Sequence, residues 1–165
     1  MNFEQAQLDI LAWITGFVER PHPALGSWAP CPYARRARLE GKFEIRQGKI
    51  DPYTDLQHID IGELDVVALV YDPTEFEPDE FNQQITAVNQ GFLRARDLLA
   101  LADHPDSPEV VQGVTMNQGT WAIAFVQPLA KLNAHARMIA EKGYYKDWPE
   151  DYLDVLFEGR EDPRS

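Results

Sequence analysis

Apolar positions in the first half of the chain recur first at helical spacing and then in short strand-like runs. Residues 3–18 carry apolar side chains three or four positions apart after Asn2, a favourable N-cap, and this pattern predicts a helix. A proline-rich loop follows, and residues 33–40 predict a short second helix. Alternation at residues 43–46 and the apolar run at residues 65–71 predict two strands.

The second half carries one long apolar stripe followed by two further strand patterns. Residues 78–102 begin with proline and acidic residues and then place apolar side chains three or four positions apart, which predicts a long helix. Residues 110–116 and 121–127 predict two strands, paired antiparallel through a turn at residues 117–119. Residues 128–143 predict another helix, which precedes an aromatic and acidic tail.

The order of these elements predicts the fold class. We expect an α+β protein with a two-layer α/β sandwich, in which helices cover one face of a roughly four-stranded, mainly antiparallel sheet, related to the ferredoxin-like fold. The 165 residues fit a single domain spanning residues 1–165, and 44% hydrophobic residues are enough to form its core.

Charge and cysteine content bear on location and partners. The formal net charge of −12 repels phosphate backbones, so nucleic acid is not an expected partner. No apolar run approaches the roughly 20 residues that cross a bilayer, and the acidic start of the chain does not resemble a secretory signal. A single cysteine fits a reducing compartment, so the sequence predicts an acidic cytoplasmic protein without a membrane partner.

Cys31 is a candidate reactive residue because Pro32 follows it. Proline favours the first helical position, so we expect Cys31 to cap the short helix with its sulfur facing unpaired backbone N–H groups. The positive end of the helix and Arg35 would then lower the pKa of the thiol below its usual value of about 8.5 and favour a thiolate. The alternative is a small buried side chain that only packs, as most free cysteines do.

Residues 31–34, Cys-Pro-Tyr-Ala, resemble the active-site segment of glutaredoxins and of the cysteine-type glutathione transferases, in which the cysteine also caps a helix. More broadly, the chain is similar to an uncharacterised bacterial family, a domain of unknown function whose N-terminal helix leads into Leu-Cys-Pro-Phe-Ala. That similarity also includes residues 70–73 and residues 76–82. It implies a comparable fold and no particular activity.

A group of arginines follows Cys31 in an otherwise acidic chain. Arg35, Arg36 and Arg38 lie beside the expected helix N-terminus, where guanidinium and N–H groups together suit a phosphate or a carboxylate. They predict an anion-binding site for a small anionic ligand. The alternative is that they form surface ion pairs with some of the 27 acidic residues.

Amide and histidine side chains supply further candidates. Gln112 and Gln127 could hydrogen-bond a polar ligand if both point from their strands into a cleft, and otherwise they are solvated. The four histidines are scattered without the spacing of a helical metal site, so we predict no metal ligand. No pattern in the sequence indicates a particular cofactor.

Two function hypotheses remain open at this point. The first is a small thiol-dependent enzyme or redox-responsive protein that uses Cys31 beside the anion-binding helix N-terminus. The second is a noncatalytic ligand-binding or assembly protein, in which aromatic residues of the tail form the surface of a homodimer. The aromatic residues concerned are Tyr144, Tyr145, Trp148 and Tyr152. Their alternative role is to close the core.

Overall fold

A mixed four-stranded sheet forms the centre of the computed structural model, which describes residues 1–164. The strands of the chain are β1 (Phe43–Gln47), β2 (Val66–Tyr71), β3 (Leu98–Asp103), β4 (Val110–Val111), β5 (Val114–Thr115) and β6 (Ala122–Pro128). The main sheet has the order β1-β2-β6-β3, in which β1 is parallel to β2 and β6 is antiparallel to both of its neighbours. The α+β class and the mainly antiparallel four-stranded sheet are therefore confirmed.

Six α-helices surround this sheet. They are α1 (Phe3–Trp13), α2 (Ala34–Leu39), α3 (Pro52–Leu56), α4 (Pro78–Val88), α5 (Leu129–Glu141) and α6 (Glu150–Leu156). Strands β2 and β3 are connected through α4 and have the antiparallel β6 between them, which is the split βαβ arrangement found in ferredoxin-like folds. None of the described helices is long and apolar enough to cross a membrane.

Helix α4, together with α3, covers one face of the sheet. Phe81, Ile85 and Val88 on α4 are buried against β2, where they share a cluster with Val67 and Leu69. The predicted inward-facing stripe of apolar residues is therefore confirmed as far as Val88. Pro78 opens the helix and acidic residues occupy its first turn, where they complement the positive end of the helix dipole.

Helix α1 packs against the opposite face, which adds a helical layer to the expected arrangement. The Oδ1 atom of Asn2 accepts a hydrogen bond from the Gln5 N–H at 3.1 Å and confirms the predicted N-cap. Ile10 and Ile14 are buried in the same cluster as Val70 of β2 and Ile123 of β6. The helix continues as a π-helical turn at Ile14–Val18, as expected for a helix over residues 3–18.

The expected helix over residues 78–102 is wrong in its last part. A π-helical turn at Asn89–Leu93 and a short 3₁₀ turn follow α4, and Asp97 then adopts a left-handed conformation with φ of 58°. The chain continues as β3, so Leu99 lies in a strand. An apolar run of this length suits a buried strand as well as a helix, and pairing with β6 decides between them. The predicted burial of Leu99 is confirmed, while Phe92 is only half-buried.

The side chain of Asn89 protects the outer edge of β3. Its Nδ2 donates to the Ala100 carbonyl at 2.9 Å, and its Oδ1 accepts from the Ala100 N–H at 2.8 Å. These are the groups that an additional strand would use. The asparagine therefore satisfies the Ala100 backbone groups, which would otherwise be available for pairing with a strand of another chain.

The predicted hairpin between residues 110–116 and 121–127 is also wrong. Strands β4 and β5 pair with each other around a two-residue turn, in which Gln112 and Gly113 both have positive φ angles of 51° and 77°. Two positive φ values are typical of the type I′ turn that matches strand twist. Strand β6 instead lies between β2 and β3, because its apolar side chains on both faces require cover on both sides.

An aromatic cluster lies in the segment between α5 and α6 and packs with these helices, apart from the two clusters of the main sheet. Helix α5 buries Ala136 and Ile139 and ends near Gly143, as predicted. After it, Tyr144 is 5% exposed and contacts the rings of Trp28, Tyr145 and Trp148. Tyr144 therefore packs in the interior, which was the alternative to a role at a dimer surface. A homodimer stays a prediction.

We expect Leu99→Ala to lower the free energy of unfolding by about 2–5 kcal/mol, because Leu99 is only 2% exposed. Leu39→Ala is the matched control, since Leu39 is 64% exposed and its truncation should change stability by less than about 0.5 kcal/mol. Urea unfolding monitored by circular dichroism measures both values. Equal effects of the two substitutions would contradict the placement of Leu99 in the core.

Candidate functional site

A cavity of about 520 Å³ lies along the edge strand β3 and its neighbour β6. Alternate residues of β3 and β6 form what we call its floor: Leu99, Leu101, Asp103, Phe125 and Gln127. Helices α2, α5 and α6 and the π-helical turn after α1 contribute to its walls on this face, and α4 lines it from the other face of the sheet. The volume falls within the roughly 300–1,000 Å³ that is typical of small-molecule sites.

The floor of the cavity is unusual for a sheet face because three of its five side chains are not fully packed. Leu101, Phe125 and Gln127 are half-buried although they lie on the two adjacent strands β3 and β6. Leu132 of α5 is half-buried opposite them and also lines the cavity. Apolar side chains of a sheet normally pack against another layer, so these residues leave apolar surface available to a ligand.

Asp103 is the buried polar residue of the floor. Its carboxylate accepts hydrogen bonds from Asn117 Nδ2 at 2.9 Å and from the Gln118 N–H at 3.0 Å. Burial raises the pKa of Asp103, and the two hydrogen bonds oppose that rise in part. Asn117 also accepts from the Glu109 N–H at 2.6 Å, so one amide side chain joins the Asp103 carboxylate to the backbone of Glu109.

Glu109 is the second carboxylate of the cavity. Burial raises its pKa to about 7, and the nearby Asp103 charge contributes in the same direction. The Tyr152 hydroxyl of α6 donates to Glu109 Oε2 at 3.1 Å and opposes the rise. At neutral pH this carboxyl group is therefore present in both protonation states, so it can donate or accept a hydrogen bond.

His104 is adjacent to Asp103 but has a structural role. Its Nδ1 accepts from the Asp106 N–H at 3.1 Å, so Nε2 carries the proton. That Nε2 lies 3.2 Å from the Pro73 carbonyl oxygen and 3.1 Å from the Phe76 carbonyl oxygen. The ring joins two loops at one end of the sheet and has no donor or acceptor left for a ligand.

Cys31 lines the same cavity, but its local structure differs from the prediction. The short helix begins at Ala34 with Tyr33 as its N-cap, so the expectation that Cys31 caps it is wrong. Cys31 as a residue is exposed, yet the groups around its sulfur desolvate a thiolate and raise the pKa of the thiol. The N–H groups of Tyr33 and Ala34 oppose that rise in part, and the predicted lowering of the pKa is wrong. A catalytic role for Cys31 stays a prediction.

The three arginines after Cys31 have separate environments. Arg36 forms an exposed ion pair with Glu40 at 2.9 Å, and Arg38 forms two hydrogen bonds with the largely buried Glu19 carboxylate. Arg35 is exposed. The alternative of surface ion pairing thus describes Arg36 and Arg38, whereas anion binding by the three residues stays a prediction.

The other predicted candidates divide between the cavity and the surface. Gln127 lines the cavity, whereas Gln112 is exposed in the β4–β5 turn and donates to the Asp147 carbonyl. His135 was assigned no role in the sequence, but it lines the cavity and stacks on Tyr33 with ring centroids 3.8 Å apart. Burial, together with the Lys131 charge, lowers the pKa of His135, so this histidine favours the neutral form.

Within residues 1–164, no group of three or more histidine, cysteine, aspartate or glutamate side chains is placed to hold a metal ion. No protein-family model, curated protein or solved structure matches this chain. The resemblances to glutaredoxins and to a domain-of-unknown-function family therefore stay predictions.

Sequence reasoning missed Asp103 and Glu109 for different reasons. Asp103 directly follows the apolar run at residues 98–102, and an acid at the end of a buried strand is a usable signal once that run is read as a strand. Glu109 has no such signal, since it lies in a loop and the chain has 27 acidic residues. Only its contact with Tyr152 distinguishes it.

We expect Glu109 to make the protein less stable as pH rises from about 4.5 to about 7. The folded state still binds the proton in this interval and the unfolded state has released it, so the free energy of unfolding falls as pH rises. The Glu109 contribution amounts to at most about 3.5 kcal/mol, at roughly 1.4 kcal/mol per pKa unit. Asp103 acts in the same direction because its pKa is also raised.

The comparison of wild type with Glu109→Gln measures this effect by urea unfolding at several pH values. In the variant, the free energy of unfolding should fall less steeply with pH, because only the contribution of Asp103 remains. An identical pH dependence in the two proteins would show that Glu109 titrates normally. Glu150→Gln serves as the matched control, because Glu150 is exposed.

We expect Cys31 to react slowly with iodoacetamide in the folded protein at neutral pH, because desolvation of the thiolate by neighbouring groups raises the pKa of the thiol. The pH midpoint of the alkylation rate should lie at or above that of free cysteine. Mass spectrometry follows the reaction, and Cys31→Ser is the blank because the chain has one cysteine. A midpoint well below pH 8 would instead support the thiolate hypothesis.

Proposed function

We propose that this chain is a ligand-binding protein whose cavity takes a small molecule with an apolar body and a hydrogen-bonding group. The observation that carries this proposal is the cavity of about 520 Å³ over half-buried apolar residues of the sheet. This is the noncatalytic ligand-binding alternative of the sequence analysis, for which the sequence indicated no site. The site proposed for it here is the floor formed by β3 and β6.

The apolar part of the site supports binding through the hydrophobic effect. Leu101, Phe125 and Leu132 line the cavity and keep accessible surface in the free protein. A ligand that covers this surface gains about 25 cal/mol for each Å² of apolar area removed from water. The apolar body of the ligand therefore supplies most of the affinity, and the polar residues supply its orientation.

The polar part of the site lies where β3 ends. Asp103, Glu109 and Tyr152 line the cavity there and are already joined by hydrogen bonds. Because the pKa of Glu109 is about 7, its carboxyl group can serve a ligand donor or a ligand acceptor at neutral pH. A hydroxyl or amide group on the ligand fits this pair of carboxyl groups.

A second candidate function is proton transfer by the same residues. A general acid or base works best when its pKa is close to the working pH, and Glu109 meets that condition inside a cavity. The thiol-dependent or redox-responsive function of Cys31 is the third possibility. It stays a prediction, which the alkylation experiment checks.

We expect the neutral fluorescent dye phenylnaphthylamine to bind the wild-type protein, with a blue-shifted emission that reports its apolar surroundings. Leu101→Trp should weaken this binding on the order of tenfold, about 1.4 kcal/mol, because the larger ring fills the cavity from its floor. Leu8→Trp is the matched control, since Leu8 is 59% exposed on α1 and does not line the cavity. The absence of dye binding, or equal affinity of the two variants, would contradict the proposal.

A further inference from the structure

Arg94 is a cavity-lining arginine without a carboxylate partner. It lies in the 3₁₀ turn just before β3, and none of the ion pairs or hydrogen bonds within residues 1–164 includes its guanidinium group. Its Nε is buried and has no hydrogen-bond partner. The chain carries 27 acidic and 15 basic residues, so carboxylates are abundant and an unpaired arginine in a cavity calls for an explanation.

The other cavity-lining bases differ from Arg94. Arg36 is paired with Glu40, and Lys131 is paired with Asp65. Lys42 is half-buried, and its charge helps to lower the pKa of Glu40. Each of these bases interacts with a particular carboxylate, whereas no ion pair within residues 1–164 includes Arg94.

The backbone around Arg94 makes room for its guanidinium group. Gly159, in the segment after α6, has a φ of 66°, and a Cβ atom at this position would overlap the Arg94 guanidinium. A side chain at residue 159 would therefore displace the arginine. Glycine both allows the left-handed backbone and leaves the charged group beside the cavity.

We propose that Arg94 binds the anionic group of the ligand that occupies this cavity, so that the ligand is a small amphipathic organic anion. This inference rests on the proposed function. A carboxylate, sulfonate or phosphate group supplies the acceptors that the guanidinium lacks, and a charge-assisted contact of this kind is stronger than a neutral hydrogen bond. The unmet donor at Nε shows that this cavity-lining arginine is not satisfied by the described part of the protein.

The position of Arg94 also limits the length of the ligand. Arg94 precedes β3 and Asp103 ends it, so the two residues stand at opposite ends of a six-residue strand. At about 3.3 Å per residue, that strand spans roughly 17 Å. A ligand that reaches both ends is elongated, with its anionic group at Arg94 and its neutral polar group near Glu109.

The test compares two dyes that share a ring system and differ in charge. Anilinonaphthalene sulfonate carries one negative charge, and phenylnaphthylamine carries none. Fluorescence titration gives the affinity of each dye for wild type, Arg94→Met, Arg94→Lys and Arg20→Met. Arg20 is the matched control because it is exposed and does not line the cavity. Thermal unfolding of each variant checks that the fold is retained.

We expect Arg94→Met to weaken sulfonate binding about tenfold or more and to change phenylnaphthylamine binding less than about twofold. Arg94→Lys keeps the charge without the planar fork, so its sulfonate affinity should fall between those of wild type and Arg94→Met. If Arg94→Met does not fold, Arg94→Lys carries the test with the same selective loss of sulfonate binding. Arg20→Met should bind both dyes as wild type does.

Two results would overturn the inference. Unchanged sulfonate affinity in the folded Arg94 variants would show that the arginine makes no contact with the anion. An equal loss for both dyes would show that Arg94 only shapes the cavity. In both cases phenylnaphthylamine still binds the wild type, so the proposed function stands. If neither dye binds the wild type, the cavity is not a ligand site and the proposed function fails together with this inference.

Discussion

The insertion of β6 between β2 and β3 is the constraint on which the rest of the structure depends. This strand pairs antiparallel with both neighbours and joins the N-terminal strands to the edge strand β3. Its side chains alternate between the layer beneath α4 and the opposite face, where Ile123 packs under α1 and Phe125 reaches the cavity. Without this pairing, β3 would have no strand partner and the cavity would have no floor.

The second organising feature is a polar network at the end of β3. Asn117 donates to Asp103 and accepts from the Glu109 backbone, which holds two carboxyl groups near each other in a partly apolar setting. Burial raises the pKa values of both groups, so the network has a cost in stability that packing elsewhere offsets. Buried carboxyl groups with raised pKa values are more common at functional sites than in ordinary cores, although structural networks also produce them.

The cavity thus has two chemically different ends. Near Glu109 it offers carboxyl and phenol groups, and near Arg94 it offers a guanidinium that forms no ion pair within residues 1–164. Cys31 and the Tyr33–His135 stack lie along the wall. The arginines after Cys31 lie close in the chain to the candidate thiol, yet two of them bind carboxylates of their own surroundings. Arg36 and Arg38 are therefore close to Cys31 in the sequence but do not form one site with it.

Local pattern alone determined the elements whose partners are near in the chain. The N-cap at Asn2, the start of α4 at Pro78, the strand β2 and the inward stripe through Val88 all follow from spacing and capping chemistry, which depend on a few neighbouring residues. The apolar residues from Leu98 onward fit a helix or a strand, and only pairing with β6 decides for a strand. The same long-range pairing places Asp103 and Gln127 on the cavity floor, while the packing of α6 brings Tyr152 to Glu109. Tertiary structure decided the site because its residues lie far apart in the chain and no local pattern records their contacts.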